Sequence, residues 1–532
     1  MSQFDVIIVG YGPTGKVLAR LLSDRGHKVA IVERWPHAYP LPRAVTYYHD
    51  IARLFHALNL AGDVGQISRP GHHYVWYNAD WKILIDFDLT AESISGGPAS
   101  FLFNQPELEA VLDRDLRARG RVGLLLGCEA IEVHDQGDLA SIVVAPFNPA
   151  TRSADRDAAE TLTCRYLVGC DGANSAVRDA IGSRLFDHGF DAEWLVVDVR
   201  PHDIASLPIP DAAQWCNPAR PTTIVPSGVA NRRFEFMLLP GESADEIATE
   251  AKVWELLSPW MKPADGTLVR HAVYRFRSRL AQGWRKNRLL IAGDAAHVMP
   301  PFMGQGMCSG LRDAATLAWR LDFVLRGLAP DSTLDDYERE RATHVDALIR
   351  LSMEMGKVVC VPDPVAARER DEAFFAGKKP PPVESPALGP GLVRKRADGA
   401  PDACAGVLLP HVRIERDGGT RRLDDVVQGN FALLTEAAAL ARLDPCLRRQ
   451  LEQTGVVLVP FGAGQYRDAD GRLRDFLAAN GAVAVIARPD FYSFGVARSG
   501  DDLGALVNEL LIGLGRVGTA RSAGSAAQRS MS

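Results

Sequence analysis

The residues best suited to chemistry lie close to the start of the chain. Phe4-Asp5-Val6-Ile7-Ile8-Val9 is an apolar strand, and Gly10-Tyr11-Gly12-Pro13-Thr14-Gly15 follows it directly. In such a turn Gly10 permits the sharp bend, Gly12 a close backbone approach to pyrophosphate, and Gly15 tight packing of the next helix. Pro13 and Thr14 sit inside the same turn and count with the cofactor-binding residues. A second strand, Val29-Ala30-Ile31-Val32, ends at Glu33, whose carboxylate can accept both hydroxyls of an adenosine ribose. An acid there argues against a 2′-phosphate, so FAD or NAD(H) fits better than NADP(H). Arg34 beside it either stacks on adenine or is a solvated charge.

Two further strand ends carry similar signals. Leu289-Leu290-Ile291-Ala292 runs into Gly293-Asp294, then Pro301-Phe302-Met303-Gly304-Gln305-Gly306-Met307 forms a loop that opens a helix, with Ala314, Leu317, Ala318 and Leu321 at helical spacing. Gly304 and Gly306 let backbone come close to a ligand, and the amides of a helix start favour electron-rich groups. Cys164-Arg165-Tyr166-Leu167-Val168-Gly169-Cys170 ends in Asp171-Gly172. Arg43, in the connection after the second strand, is either a surface charge or a cationic fork for phosphate or flavin. Gln105, at a helix start with Pro106, is a ligand donor or a plain cap.

The elements that must position these groups are those of an α/β chain. At 532 residues it exceeds one hydrophobic core, so two or three domains are expected. A formal net charge of -6 with no long basic block argues against a nucleic-acid partner. No apolar run approaches the roughly 20 residues that cross a bilayer, and the first strand leaves no room for a signal peptide, so no membrane association and a cytoplasmic location are expected. The eight cysteines are scattered without metal-ligand spacing; reduced thiols and no metal are expected. Strands at Trp194-Leu195-Val196-Val197-Asp198-Val199, Pro221-Thr222-Thr223-Ile224-Val225-Pro226 and Arg232-Arg233-Phe234-Glu235-Phe236-Met237-Leu238 predict a second sheet. Arg233, Glu235 and Met237 share one of its faces.

With Gly10 to Gly15, Asp171-Gly172 and Gly293-Asp294 in this order, the chain resembles the class A flavoprotein aromatic monooxygenases, the para-hydroxybenzoate hydroxylase-like family, over about residues 4–355. Arg232 to Met237 before Pro240-Gly241-Glu242, and Gly304-Gln305-Gly306-Met307, look most like the 3-(3-hydroxyphenyl)propionate hydroxylase branch. The resemblance implies a glutathione-reductase-type FAD-binding, Rossmann-like domain (1–180 and 270–360) with an inserted mixed β-sheet substrate domain (181–269, aided by parts of 70–105). It implies that Gly10, Gly12 and Gly15 face the FAD pyrophosphate and Glu33 the ribose, that Arg43 and Gln105 touch the cofactor, and that Asp171-Gly172 belongs to a motif linked to FAD and NAD(P)H. Asp294 would meet the ribitol side, with Pro301, Gly304, Gln305, Gly306 and Met307 around the isoalloxazine.

Beyond the catalytic part, residues 361–404 are rich in Pro, Gly and charge and are expected to be a linker or wrapping segment. Residues 405–515 alternate strands and helices and resemble the thioredoxin-like C-terminal domain of the longer phenol hydroxylases. No Cys-x-x-Cys is present, so a structural or homodimer-supporting role is expected rather than redox chemistry. The 516–532 stretch reads as a disordered tail.

The implied reaction is hydroxylation of a phenol ortho to its hydroxyl by a flavin C4a-hydroperoxide, with NADH or NADPH as a transient co-substrate and O2 as oxidant, on a 3-(3-hydroxyphenyl)propionate-like acid. Oxygen chemistry of this kind falls to the cofactor, and the protein positions it. Tyr47, Tyr48, His49, His72, His73 and Tyr274 are candidate phenol-activating bases, with His49 and Tyr48 favoured. Thr46 and Pro301 border the substrate, and Arg233 either binds a substrate carboxylate or forms an internal salt bridge. Thr46-Tyr47-Tyr48-His49-Asp50 departs from the branch's small and acidic residues, which puts the particular phenol in question. Competing readings are a hydroxylase of a polyketide or chlorinated phenol, an FAD-dependent dehydrogenase on the same fold, and a flavin-bound aromatic-binding protein without turnover.

Overall fold

The computed structural model describes residues 3–38, 43–379 and 385–516 and divides into two compact units, Met1–Ala318 with Arg341–Pro386, and Trp319–Glu340 with Ala387–Ser532. The expected tail, from residue 517 on, and the Pro40–Pro42 and Pro380–Pro382 stretches lie outside the described residues. In the first unit a nine-stranded sheet is built on parallel strands ordered Val122–Leu126, Val29–Glu33, Phe4–Val9, Glu160–Gly169 and Leu289–Ile291. Their Val-, Ile- and Leu-rich runs are buried at 6–9, 29–32, 166–168 and 289–291, as in strands covered on both faces. The register aligns Val9 with Val32 and Gly169, and Gly169 with Ile291. All the motif turns therefore emerge from the same carboxyl edge, the edge at which open α/β sheets bind ligands.

An eight-stranded sheet follows the order His297–Val298, Gly266–Gln282, Arg184–Pro201, Asn231–Met237, Thr222–Ser227, Ala213–Trp215, His73–Tyr77 and Ile83–Asp88. One face carries Leu195, Val197, Ile224, Phe234 and Phe236, packed on Val253, Leu257 and Trp260. The other face carries Trp194, Glu235, Met237, Trp76 and Tyr74. The 17-residue strand Gly266–Gln282 runs along Arg184–Pro201 in this sheet, so the expected return to the cofactor-binding part at 270 is displaced past 282. Arg275, Arg277 and Arg279 alternate there with Tyr274, Phe276, Ser278 and Leu280, the period-two pattern of a strand.

The second unit holds a four-stranded sheet ordered Val457–Phe461, Ala432–Glu436, Ala484–Ala487 and Ser493–Ala497, the first pair parallel and the rest antiparallel. It takes in residues 319–340, which the sequence reading assigned to the FAD-binding part. Trp319 and Phe323 cluster with Phe431, Leu503 and Leu506, the Trp319 and Phe431 rings 5.2 Å apart. Helical periodicity says that a face is apolar, not which partner covers it. Within the expected linker or wrapping segment, Pro364–Phe375 is a helix capped by Asp363, and Phe374, Leu388, Leu392 and Val393 are buried.

Candidate active site

The dinucleotide turn is shaped by what glycine leaves out. Gly10 has φ +110°, and a Cβ on it would overlap the Cys170 carbonyl of the neighbouring strand end. Among the described residues a Cβ on Gly12 would meet nothing within 4 Å, and one on Gly306 only Met299 Cγ at 4.0 Å. Open room at these two backbones, one at each end of the shared edge, suits a long dinucleotide. Thr14 joins the ends: a Cβ on Gly293 would lie 2.9 Å from Thr14 Oγ1, and one on Gly310 would overlap the same atom. Below the turn Lys16 pairs with the buried Glu109, and Glu109 also accepts from Gln105 Nε2 at 3.3 Å.

Glu33 accepts the Tyr11 and Trp35 amides, each at 3.0 Å, which leaves a lone pair on each oxygen for ribose hydroxyls. Arg34 is half exposed and 3.5 Å from Glu129, the solvated alternative. Gln105 Oε1 accepts the Arg43 and Ala44 amides at 3.2 and 2.8 Å, so its acceptor end holds the loop rather than a ligand. Asp171 accepts Ser175 Oγ at 2.5 Å and the Val177 amide at 3.2 Å, organising the start of Ala176–Ile181. Gly172, at φ +81°, turns the chain between them. Asp294 is exposed at its strand end, a carboxylate available to a ligand.

The loop at 301–307 leads into the helix Gln305–Leu325. Gly304 caps the preceding turn at φ +59°, and a Cβ there would stand 3.1 Å from Thr46 Cβ, so Thr46 lies directly on the loop. Tyr48 donates to the Met303 carbonyl at 2.8 Å, and burial pushes its phenol well up. A hydroxyl so held is a neutral donor, which removes it as a base. Gln305 is not aimed at a ligand: its Oε1 accepts from Arg312 at 2.8 Å, and Arg312 chelates the buried Asp50 at 2.5 and 3.1 Å. Pro301, Gly306 and Met307 remain partly accessible.

The other candidate bases scatter. His49 Nδ1 lies 2.9 Å from Ser95 Oγ, and burial lowers its pKa. Tyr47 is core, stacked on Phe101 with ring centroids 5.0 Å apart. His72 and His73 are exposed. Tyr274 lies beneath the Arg270 guanidinium. Arg233 is fully buried and clasps Asp198 through Nε and Nη2 at 2.9 and 3.0 Å, while its Nη1 donates to the Arg43 carbonyl. The carboxylate that Arg233 binds is therefore internal, which corrects the substrate-carboxylate expectation.

What the residue-type search missed is the sheet face opposite the loop. Tyr74 donates to Gln214 Oε1 at 3.2 Å, Thr223 Oγ1 donates to the same oxygen at 2.6 Å, and Gln214 Nε2 donates to the Thr222 carbonyl at 3.1 Å. Glu235 is paired across the strands with Thr223 and lies 3.7 Å from Arg233. Burial raises the Glu235 carboxyl against the pull of Arg233, and burial with Glu235 nearby raises the Tyr74 phenol far up. Trp76, Trp194, Met237, Phe276, Phe302 and Met303 form the apolar cluster around this polar patch, and the Phe302 ring is 5.9 Å from Trp194. Alternation of Tyr74 and Trp76 in His73–Tyr77 was a readable signal; the three-residue strand holding Gln214 gave none.

Comparison with known proteins bears on this arrangement. The family described as FAD binding domain matches residues 3–352, and the HcaD C-terminal domain matches residues 406–512. The chain is 36% identical to a probable NADH-specific resorcinol 4-hydroxylase of Rhodococcus jostii (strain RHA1), over 95% of this chain and 94% of that protein. It is 30% identical to a 3-(3-hydroxy-phenyl)propionate/3-hydroxycinnamic acid hydroxylase of Escherichia coli (strain SMS-3-5 / SECEC), again over 95% and 94%. Among solved structures, aklavinone-11 hydroxylase with FAD and aklavinone superposes with a TM-score of 0.79 at 22% identity, covering 96% of this chain and 99% of that one.

Proposed function

The chain belongs to the FAD-binding family of class A aromatic hydroxylases, and on that premise we propose that it hydroxylates a small neutral phenol, resorcinol first among them, ortho to an existing hydroxyl. The observation that carries the reading is the Arg233–Asp198 clasp. A fork that already holds a buried carboxylate is not available for the propionate of an acidic phenol, whereas Tyr74, Gln214, Thr223 and Glu235 suit hydroxyl groups. The resorcinol 4-hydroxylase relative points the same way, and its NADH specificity favours NADH here.

FAD, when bound, would supply the activation of dioxygen that closed-shell side chains cannot. The protein's part is positional. Tyr74, its proton given to Gln214, keeps oxygen lone pairs to accept from one phenolic hydroxyl, and Glu235 accepts from a second hydroxyl meta to it. Polarising both O–H bonds in this way raises electron density at the ring carbons next to them, which directs attack ortho. Trp76, Trp194 and Phe302 exclude water from the ring. Backbone amides at 305–307 stabilise negative charge that develops on the cofactor side. We further read the parallel sheet as the glutathione-reductase-type FAD domain, the eight-stranded sheet as the substrate domain, and the four-stranded sheet of the second unit as thioredoxin-like.

The test is direct. FAD-loaded protein under oxygen is given NADH with resorcinol or with 3-(3-hydroxyphenyl)propionate. Resorcinol-stimulated NADH consumption with a trihydroxybenzene product is expected; stimulation by the acid alone would overturn the neutral-phenol reading.

A further inference from the structure

Asp313, two turns into the helix Gln305–Leu325, is wholly buried, yet three groups from two other segments hang from its carboxylate. Oδ2 accepts the Gly293 amide at 3.0 Å and lies 2.7 Å from His297 Nε2, while Oδ1 accepts Arg341 Nε at 2.8 Å. Gly293 and His297 are the two ends of one five-residue turn, and both are gripped by the same oxygen. Between them stands Asp294, the exposed acid of the turn. The strand cannot supply this hold, because it ends at Ile291 and the next amide, Ala292, already goes to the Gly169 carbonyl at 2.9 Å.

The turn has little other freedom. Gly293 is at φ +63°, pressed against Thr14, and its carbonyl accepts the Ala296 amide at 2.8 Å. The Gly293 amide and the His297 ring fix the two ends of the turn, and the Ala296 bond holds the Gly293–Asp294 peptide plane, so the backbone that carries the Asp294 side chain is restrained. A neutral acceptor would hold the same amide less firmly, since a charged acceptor roughly doubles the strength of such bonds. Burial opposes ionisation of Asp313, yet His297 and then Arg341 bring its carboxyl down to about 2.

We propose that Asp313 is the positioning residue of the flavin end of the site, gripping both ends of the 293–297 turn and thereby aiming the Asp294 carboxylate at bound FAD. This rests on the reading that Asp294 meets FAD. The experiment is a cycle of Asp294→Ala, Asp313→Asn and the double variant, with FAD affinity read by quenching of flavin fluorescence on titration into apo protein. Asp313→Asn is expected to weaken FAD about tenfold, or about 1.4 kcal/mol, in the otherwise native chain, and less than twofold when Asp294 is already Ala. An equal loss in both backgrounds would show Asp313 acting on the fold at large and overturn the proposal. Unchanged affinity in Asp294→Ala alone would instead overturn the reading of Asp294. His297→Asn, which releases one grip and leaves the Arg341 pair intact, runs through the same cycle if Asp313→Asn does not fold; it is expected to weaken FAD about threefold only when Asp294 is present, and an Asp294-independent loss would again overturn the proposal.

Discussion

Gly310→Ala offers a measurement of how the two ends of the cofactor site are joined. A Cβ at Gly310 would overlap Thr14 Oγ1, with Gly293 Cα at 3.2 Å and Thr14 Cβ at 3.6 Å beyond it. Overpacking of this kind costs about 1–3 kcal/mol. Replacing a glycine inside a helix returns about 1 kcal/mol, so the single variant should lose about 0–2 kcal/mol. Thr14→Ala removes Oγ1, and its remaining Cβ at 3.6 Å is an ordinary contact. In that background Gly310→Ala should be neutral or stabilise by up to about 1 kcal/mol. The cycle therefore predicts a coupling of about 1–3 kcal/mol. Urea unfolding of the FAD-free chain, followed by near-ultraviolet circular dichroism across all four proteins, keeps any cofactor contribution of Thr14 out of the comparison. Additivity within about 0.5 kcal/mol would refute the claim that Thr14 bolts the first turn to the Gly293 strand.

Other perturbations separate structural from chemical roles. Arg233→Met leaves Asp198 buried without its partner and should cost about 3–5 kcal/mol of stability; half-saturating concentrations for neutral and acidic phenols should shift together, and a selective loss of the acid would restore the carboxylate role. In the second unit Glu340 is buried among Arg320, at 2.6 Å, and Arg488, at 2.7 and 3.0 Å. Burial would raise its carboxyl, but the two arginines hold it low, and Glu340→Gln should destabilise by about 3–5 kcal/mol, visible in the melting temperature. Burial likewise opposes ionisation of Asp490, yet Arg488 brings it down to about 2. A depressed carboxyl contributes stability above its unfolded value, near ~4, and loses it as pH falls toward 2. The melting temperature of the native chain should drop across that window, and Asp490→Asn, less stable at pH 7, should drop less steeply; parallel slopes would exclude Asp490 as the source.

By itself the sequence presents the candidate cofactor residues, because that pattern is local. Gly10, Gly12 and Gly15 with Glu33 lie within one strand-turn-helix-strand unit, and the absence of a side chain at a turn is legible from residue type alone. Asp294 and the glycines at 304 and 306 stand out for the same reason. Roles that depend on partners far along the chain were not. The sequence presents Arg233 as a free cationic fork; only the pairing of Arg184–Pro201 with Asn231–Met237 puts Asp198 opposite it. Gln305, adjacent to the flavin loop in sequence, is turned away by Arg312, and Gln105 by the Arg43 loop. Tyr74 and Gln214, 140 residues apart, meet because a parallel bridge sets Ala213–Trp215 beside His73–Tyr77. A hydrogen bond forms between neighbours in space, and spacing along the chain fixes those neighbours only within a turn or two of one element. Which polar groups share one sheet face, and which charges are already taken, was decided by tertiary structure.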